Sequence, residues 1–170
     1  VCAGDEDFPL RFYEYDGMPP ILYYMGNISI VNEQLSVAVI GTRKPTDFGI
    51  AVTKNLTDKL CSMGYYILNG LAIGCDAYAI ETANVRTNKA VVVLPCGLDR
   101  ICPSSNIPLL KELLKNGGCA ISEYAPGVAV QKYMYIERDR LQAVISKAVI
   151  VVESTVNSGT MHTVKFAKKY

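Results

Sequence analysis

The sequence predicts an α/β fold: a doubly wound, mostly parallel sheet with helices on both faces. Three observations lead there. Short β-branched runs, Ser36–Ile40, Ala90–Leu94 and Ala148–Val152, are apolar on both faces, with Ser36 the one polar member, as in strands covered on both sides. Between them lie segments with apolar residues at spacing three to four. Strand and helix then alternate along the chain, the signature of βαβ units whose right-handed crossovers place helices on both faces.

Each element has its own signal. Residues 1–35 are rich in Tyr, Pro, Asp and Asn and show little periodicity. They read as an amino-terminal arm packed on the core, with Pro19-Pro20 leading into an extended Ile21-Leu22-Tyr23-Tyr24 and Gly26-Asn27 as a turn. Residues 36–170 form the doubly wound domain. Its first strand is Ser36–Ile40. Phe48, Val52, Leu56, Leu60 and Met63 then mark a helix face, capped by Asp47 and stopped by Gly64. Tyr65–Leu68 is the second strand, and a helix from Asp76 turns Ala79, Ile80 and Ala83 inward. Ala90–Leu94 is the third strand, Ile107–Lys115 a helix, and Ala120-Ile121 a short fourth strand. Residues 137–147 read as a helix, Ala148–Val152 as the fifth strand and Thr160–Lys169 as a closing helix. With no strand after that helix, a doubly wound domain is expected to continue, so the carboxyl end reads as truncated.

Composition excludes several classes. Seventeen Lys and Arg against sixteen Asp and Glu give a net charge of +1 over 170 residues. A whole-protein basic footprint for nucleic acid is thereby ruled out, though a local basic pocket is not. No apolar run is long enough to span a membrane, and the first residues carry no secretory signal. The six cysteines form no CxxC pair and the lone His162 has no HxxxH partner, so neither a metal site nor a cofactor is expected. Reduced cysteines in apolar surroundings suit a cytoplasmic protein. Neither a GxSxG elbow nor an acid partner for His162 is present, so no catalytic residue is assigned.

In a sheet of this kind ligands bind beyond the carboxyl ends of the strands. There Gly41, Thr42 and Arg43 offer a close-approach glycine, a hydroxyl and a guanidinium that can grip a phosphate with two hydrogen bonds. Ser158, Gly159 and Thr160 open a helix whose amides face an incoming anion. The two segments together would make a phosphate cradle; separately, each reads equally as an ordinary turn or cap. The Gly70-x-x-x-Gly74 loop matches neither GxGxxG nor a Walker A loop. Asp76 reads as a helix cap or as a carboxylate facing ligand. Arg138 and Arg140 either bind phosphate or pair with Asp139, Glu137 or Glu123. Glu153, ending a buried strand, either reads a ribose hydroxyl or pairs with an arginine. His162 reads as a helix-surface or cap residue. Tyr13, Tyr15, Tyr23 and Tyr24 either pack the arm or stack bases.

The motifs, in order, resemble the DprA/Smf DNA-processing family. Residues 36–43, SVAVIGTR, resemble its VAIVGSR/GTR signature, and residues 69–77, NGLAIGCDA, its SGLARGID segment. Leu94-Pro95-Cys96-Gly97-Leu98-Asp99 with Cys102-Pro103-Ser104-Ser105-Asn106 resembles GLDxxYPxxN, and Ile121-Ser122-Glu123-Tyr124 resembles ISEYP. Arg138-Asp139-Arg140-Leu141 is similar to RNRI, and Val152-Glu153 with Ser158-Gly159-Thr160 and Thr163 to VEAxxxSGSLxTA. The lead-in from Pro20 to Asn27 resembles PxxLYxKGN. The resemblance implies an extended Rossmann-like fold that binds single-stranded DNA, in transformable bacteria for hand-over to the RecA recombinase. It implies a homodimer, no established enzymatic activity, and Arg43 as the phosphate-gripping arginine. The sequence departs from the pattern at Ile73, Ala79-Ile80, Ser104-Ser105 and Asp139, each removing a donor or cation or adding an anion. A binder of a small nucleotide or nucleotide-derived signal in the same pocket is therefore the alternative. A nucleotide-cleaving enzyme built on Glu153 and Arg138 would need the PGGxGTxxE signature of phosphoribohydrolases, which is missing.

Overall fold

The computed structural model describes residues 1–87 and 89–170. Six strands form one sheet: β1 (Tyr23–Gly26), β2 (Ser36–Ile40), β3 (Tyr66–Asn69), β4 (Ala90–Val93), β5 (Cys119–Ser122) and β6 (Ala148–Val151). Their order is β1-β5-β4-β3-β2-β6. All neighbours are parallel except β1, which runs antiparallel along β5. The sheet is thus the predicted doubly wound one. The lead-in read as merely extended forms β1, a strand beyond the five expected, because its backbone pairs with the otherwise open edge of β5.

Five helices surround the sheet: α1 (Asp47–Ser62), α2 (Cys75–Arg86), α3 (Ile107–Lys115), α4 (Lys132–Ile145) and α5 (Thr160–Lys169). Strand alternation sorts the core into two layers. Val37, Val39, Ile67, Val92 and Ala120 face Cys61 of α1, Ala79, Ile80 and Ala83 of α2, and Leu110 and Leu113 of α3. Ala38, Leu68, Val91, Val93 and Ile121 face Leu141, Val144 and Ile145 of α4 together with Phe8, Phe12, Leu22 and Ile30 from the first 35 residues.

Two helix readings change. The apolar face expected on α1 is displaced: Phe48 and Met63 are 79% and 68% exposed, and the buried stripe is Gly49, Thr53, Thr57 and Cys61. Small residues let α1 lie close against its neighbours, which the bulkier stripe would prevent. The cap of α1 is Thr46, whose side chain accepts from the Gly49 amide, and Asp47 falls in the first turn. Helix α4 begins at Lys132, five residues before the expected 137, because its first turn is largely exposed and carries no apolar periodicity.

Chain order runs outward in one direction from β2 through β3 and β4 to β5, then crosses back to β6 on the other side of β2. Crossovers diverge between β2 and β6, so a crevice opens beyond their carboxyl ends.

Candidate anion-binding cleft

The end of β2 is tied on both sides. Thr42 donates its amide to the Glu153 carbonyl, 2.7 Å, and the Cys75 amide donates to the Thr42 carbonyl, 3.1 Å. Gly41 and Gly74 permit this closeness. A Cβ on Gly41 would press into Cys75, and one on Gly74 would meet the Thr42–Arg43 backbone. Gly74 also adopts φ +85°, which favours glycine. Thr42 and Arg43 are thereby held at the rim of a cavity of about 570 Å³.

That cavity is lined by Gly41, Thr42 and Arg43 from the end of β2, Ala72 and Asp76 around the start of α2, and Ser158, Gly159 and Thr160 at the start of α5. The two segments expected to form a cradle therefore share one cleft. Helix α5 begins without a side-chain cap, and Thr160 donates its hydroxyl to the Gly41 carbonyl, 3.2 Å. Its amino end thus points partial positive charge toward the end of β2.

Helix α4 supplies the rest of the wall through Lys132, Tyr135, Ile136, Arg138, Asp139 and Gln142, and α5 adds His162 and Thr163. The Arg43 guanidinium carbon lies 5.6 Å from the Tyr135 ring centroid, a cation–π contact that preserves its hydrogen-bonding donors for a ligand. Among the described residues neither Arg43 nor Lys132 pairs with a carboxylate.

The floor is different in character. Arg138 is 6% exposed; its Nη1 donates to the Val93 carbonyl, 2.7 Å, and its Nε lies 3.2 Å from Asp139 Oδ1. The guanidinium lies over Gly70, where a Cβ would overlap it. Arg138 therefore braces the ends of β3 and β4 more than it reaches outward. Asp76 Oδ2 accepts from the Gly70 amide, 3.1 Å, and the Ala72 amide, 3.4 Å, fixing the loop between β3 and α2. Burial pushes the Asp76 carboxyl up to about 6, with Arg138 pulling the other way. Burial also raises the Asp139 carboxyl, opposed by Arg138 and His162.

Of the expected site residues, Gly41, Thr42, Arg43, Asp76, Arg138, Ser158, Gly159 and Thr160 line the cleft, and Gly70 and Gly74 shape it from behind. Arg140 and Glu153 stand apart. Arg140 makes a two-pronged ion pair with Glu123, 2.7 and 2.6 Å. Glu153 turns its carboxylate to the amide and hydroxyl of Thr46, at 3.0 and 3.1 Å, and neither residue lines the cleft. His162, expected on a helix surface, faces the cleft. The four tyrosines do not gather: Tyr13 accepts from the Gly4 amide, Tyr15 packs on Tyr170, and Tyr23 and Tyr24 lie on β1. Sequence reading missed Lys132, Tyr135, Gln142, His162 and Thr163. For α4 a signal existed, since Lys132, Tyr135, Arg138, Asp139 and Gln142 repeat at three to four residues as one polar helix stripe.

Fold and cleft together define a doubly wound α/β domain with a cation-rimmed cleft at its switch point. The family model described as DNA recombination-mediator protein A matches residues 1–170, and the chain belongs to that family. It is 34% identical to the protein Smf of Synechocystis over 173 residues, covering 100% of this chain and 43% of the relative. The chain spans about half the length of the curated relatives it matches, 43% and 54% for the Synechocystis and Bacillus subtilis proteins. DNA processing protein A of Helicobacter pylori, whose structure is described for its single-stranded DNA binding mode, superposes with a TM-score of 0.90 at 32% identity, covering 98% of this chain and 75% of that one. DNA processing protein A of Streptococcus pneumoniae gives 0.90 at 28% identity, covering 99% and 59%.

Proposed function

We propose that this chain holds single-stranded DNA by its phosphates in the cleft between β2 and β6. The observation that carries the reading is the convergence of Thr42-Arg43 and Ser158-Gly159-Thr160 on one rim, with Arg43 and Lys132 beside them in no ion pair among the described residues. Arg43 and Lys132 neutralise backbone phosphate, the start of α5 donates amides, and Tyr135 offers a ring face for a base. The single-stranded DNA binding described for the Helicobacter pylori relative supports this. In this reading residues 36–170 are the binding domain and residues 1–35 an arm packed against it. The protein acts as a binder in the cytoplasm, as a homodimer, handing its strand to a RecA-type recombinase; this wider role rests on the family resemblance.

Titration of oligo-dT across a salt series tests the reading. Affinity is expected to fall linearly on logarithmic axes, because bound phosphates release counterions. Arg43→Ala is expected to weaken binding roughly tenfold and to flatten the slope by about 0.7, the share of one single-strand phosphate. Unchanged affinity in that variant overturns the assignment. Stabilisation by a mononucleotide with no oligo-dT binding would install the small-nucleotide reading instead.

A further inference from the structure

The cleft is not uniformly cationic. Its rim carries Arg43 and Lys132, but its floor holds two buried carboxylates, Asp76 and Asp139, around one guanidinium. Arg138 is one cation between two carboxylates, with Nη1 donating to the Val93 carbonyl and Nε 3.2 Å from Asp139 Oδ1. An anion entering the cleft therefore meets a floor with an uncompensated negative charge when both carboxyls are ionised.

Asp139 has particular surroundings. On its own helix Arg138 lies 3.2 Å away, and Gln142 Nε2 donates to Asp139 Oδ1 at 3.3 Å. Helix α2 brings Asp76, and α5 brings His162 and Thr163; Arg43 and Lys132 line the same cavity. The other end of the Gln142 amide, Oε1, is buried and has no partner among the described residues. Rotating that amide would present Oε1 to Asp139 as an acceptor for a carboxylic O–H. The site thus has a hydrogen-bonding arrangement for both protonation states.

We propose that Asp139 sets the affinity of the cleft: as a carboxylate it opposes the ligand's phosphate charge, and its protonation lifts that opposition, so binding tightens on acidification. The proposal rests on phosphate binding in this cleft. Its sign follows from linkage, because an anionic ligand favours the protonated acid and the protonated acid favours the ligand equally.

Oligo-dT binding is measured at about pH 5.5 and about pH 8, at fixed ionic strength, in an Asp76→Asn background that removes the other titrating carboxyl of the floor, alone and combined with Asp139→Asn or His162→Gln. The background protein is expected to tighten on acidification by up to about fivefold, the effect of one full charge. Adding Asp139→Asn should tighten binding at the higher pH and remove most of the pH dependence, while adding His162→Gln keeps it. Full pH dependence after adding Asp139→Asn, or its loss after adding His162→Gln, overturns the proposal. A parallel arm follows thermal stabilisation by sulfate, which does not titrate in this range. Oligo-dT silent at every pH, with sulfate stabilisation that strengthens on acidification only when Asp139 is present, refutes the DNA reading and upholds this one. Sulfate stabilisation independent of pH, or absent throughout, overturns it.

Discussion

At the scale of single residues, the cleft divides its charged groups by burial. Arg43 is exposed at the rim and keeps its donors for solvent or ligand, whereas Arg138 is buried and committed to the backbone of β4. Two arginines that look alike in sequence thus do different work. Asp76 shows the same dependence on surroundings. Its carboxyl, ordinarily at 3.8, is pushed up to about 6 by burial. Between those values the folded state holds more proton than the unfolded chain, so this group's contribution to stability falls as pH rises from about 4 to about 6. Asp76→Asn, which copies the neutral acid, should match the wild type near pH 4 and exceed it at pH 7 by up to about 3 kcal/mol. Chemical denaturation at both pH values checks this; a wild type that gains on the variant as pH rises would contradict it.

At the scale of elements, the site depends on two strand ends and two helix starts meeting without side chains between them. Gly74 is where that is tightest, with positive φ and the Thr42–Arg43 backbone where a Cβ would go. Gly74→Ala should cost about 2–4 kcal/mol and also weaken oligo-dT binding, since the Arg43 backbone must shift. Denaturation and titration of the same variant read both effects. Elements with a strong local pattern were legible in the sequence: β2, β4 and β6 from their β-branched runs, and α3 and α5 to the residue. The face of α1 was not, because close approach to its neighbours selects Gly49, Thr53 and Thr57 over the bulkier residues beside them. The start of α4 was hidden for the opposite reason: its first turn faces ligand space and solvent, so it shows no apolar period. Lys132 and Tyr135 went unseen with it. Arg140 and Glu153 looked like site residues because charge beside a strand end is costly; the structure resolves that cost with Glu123 and with Thr46.

At the scale of the whole molecule, the order β5-β4-β3-β2-β6 leaves one switch point, and the cleft lies there. A net charge of +1 is compatible with an anion site because the positive groups are concentrated rather than numerous. The first 35 residues belong to the same body: Phe8 and Phe12 are 2% and 4% exposed within the core layer that also contains α4. Phe12→Ala should therefore lower global stability by about 3–5 kcal/mol in a single cooperative transition, and not merely loosen the arm. Fluorescence and circular dichroism unfolding curves that separate would contradict that.

Central to the account is that anion is captured where the end of β2 meets the start of α5. A crystal structure with a short oligo-dT tests this most directly. The expected result is a phosphate within hydrogen-bond distance of Arg43 and of the Gly159 and Thr160 amides. Well-ordered oligonucleotide elsewhere on the surface, with this cleft left empty, would contradict it.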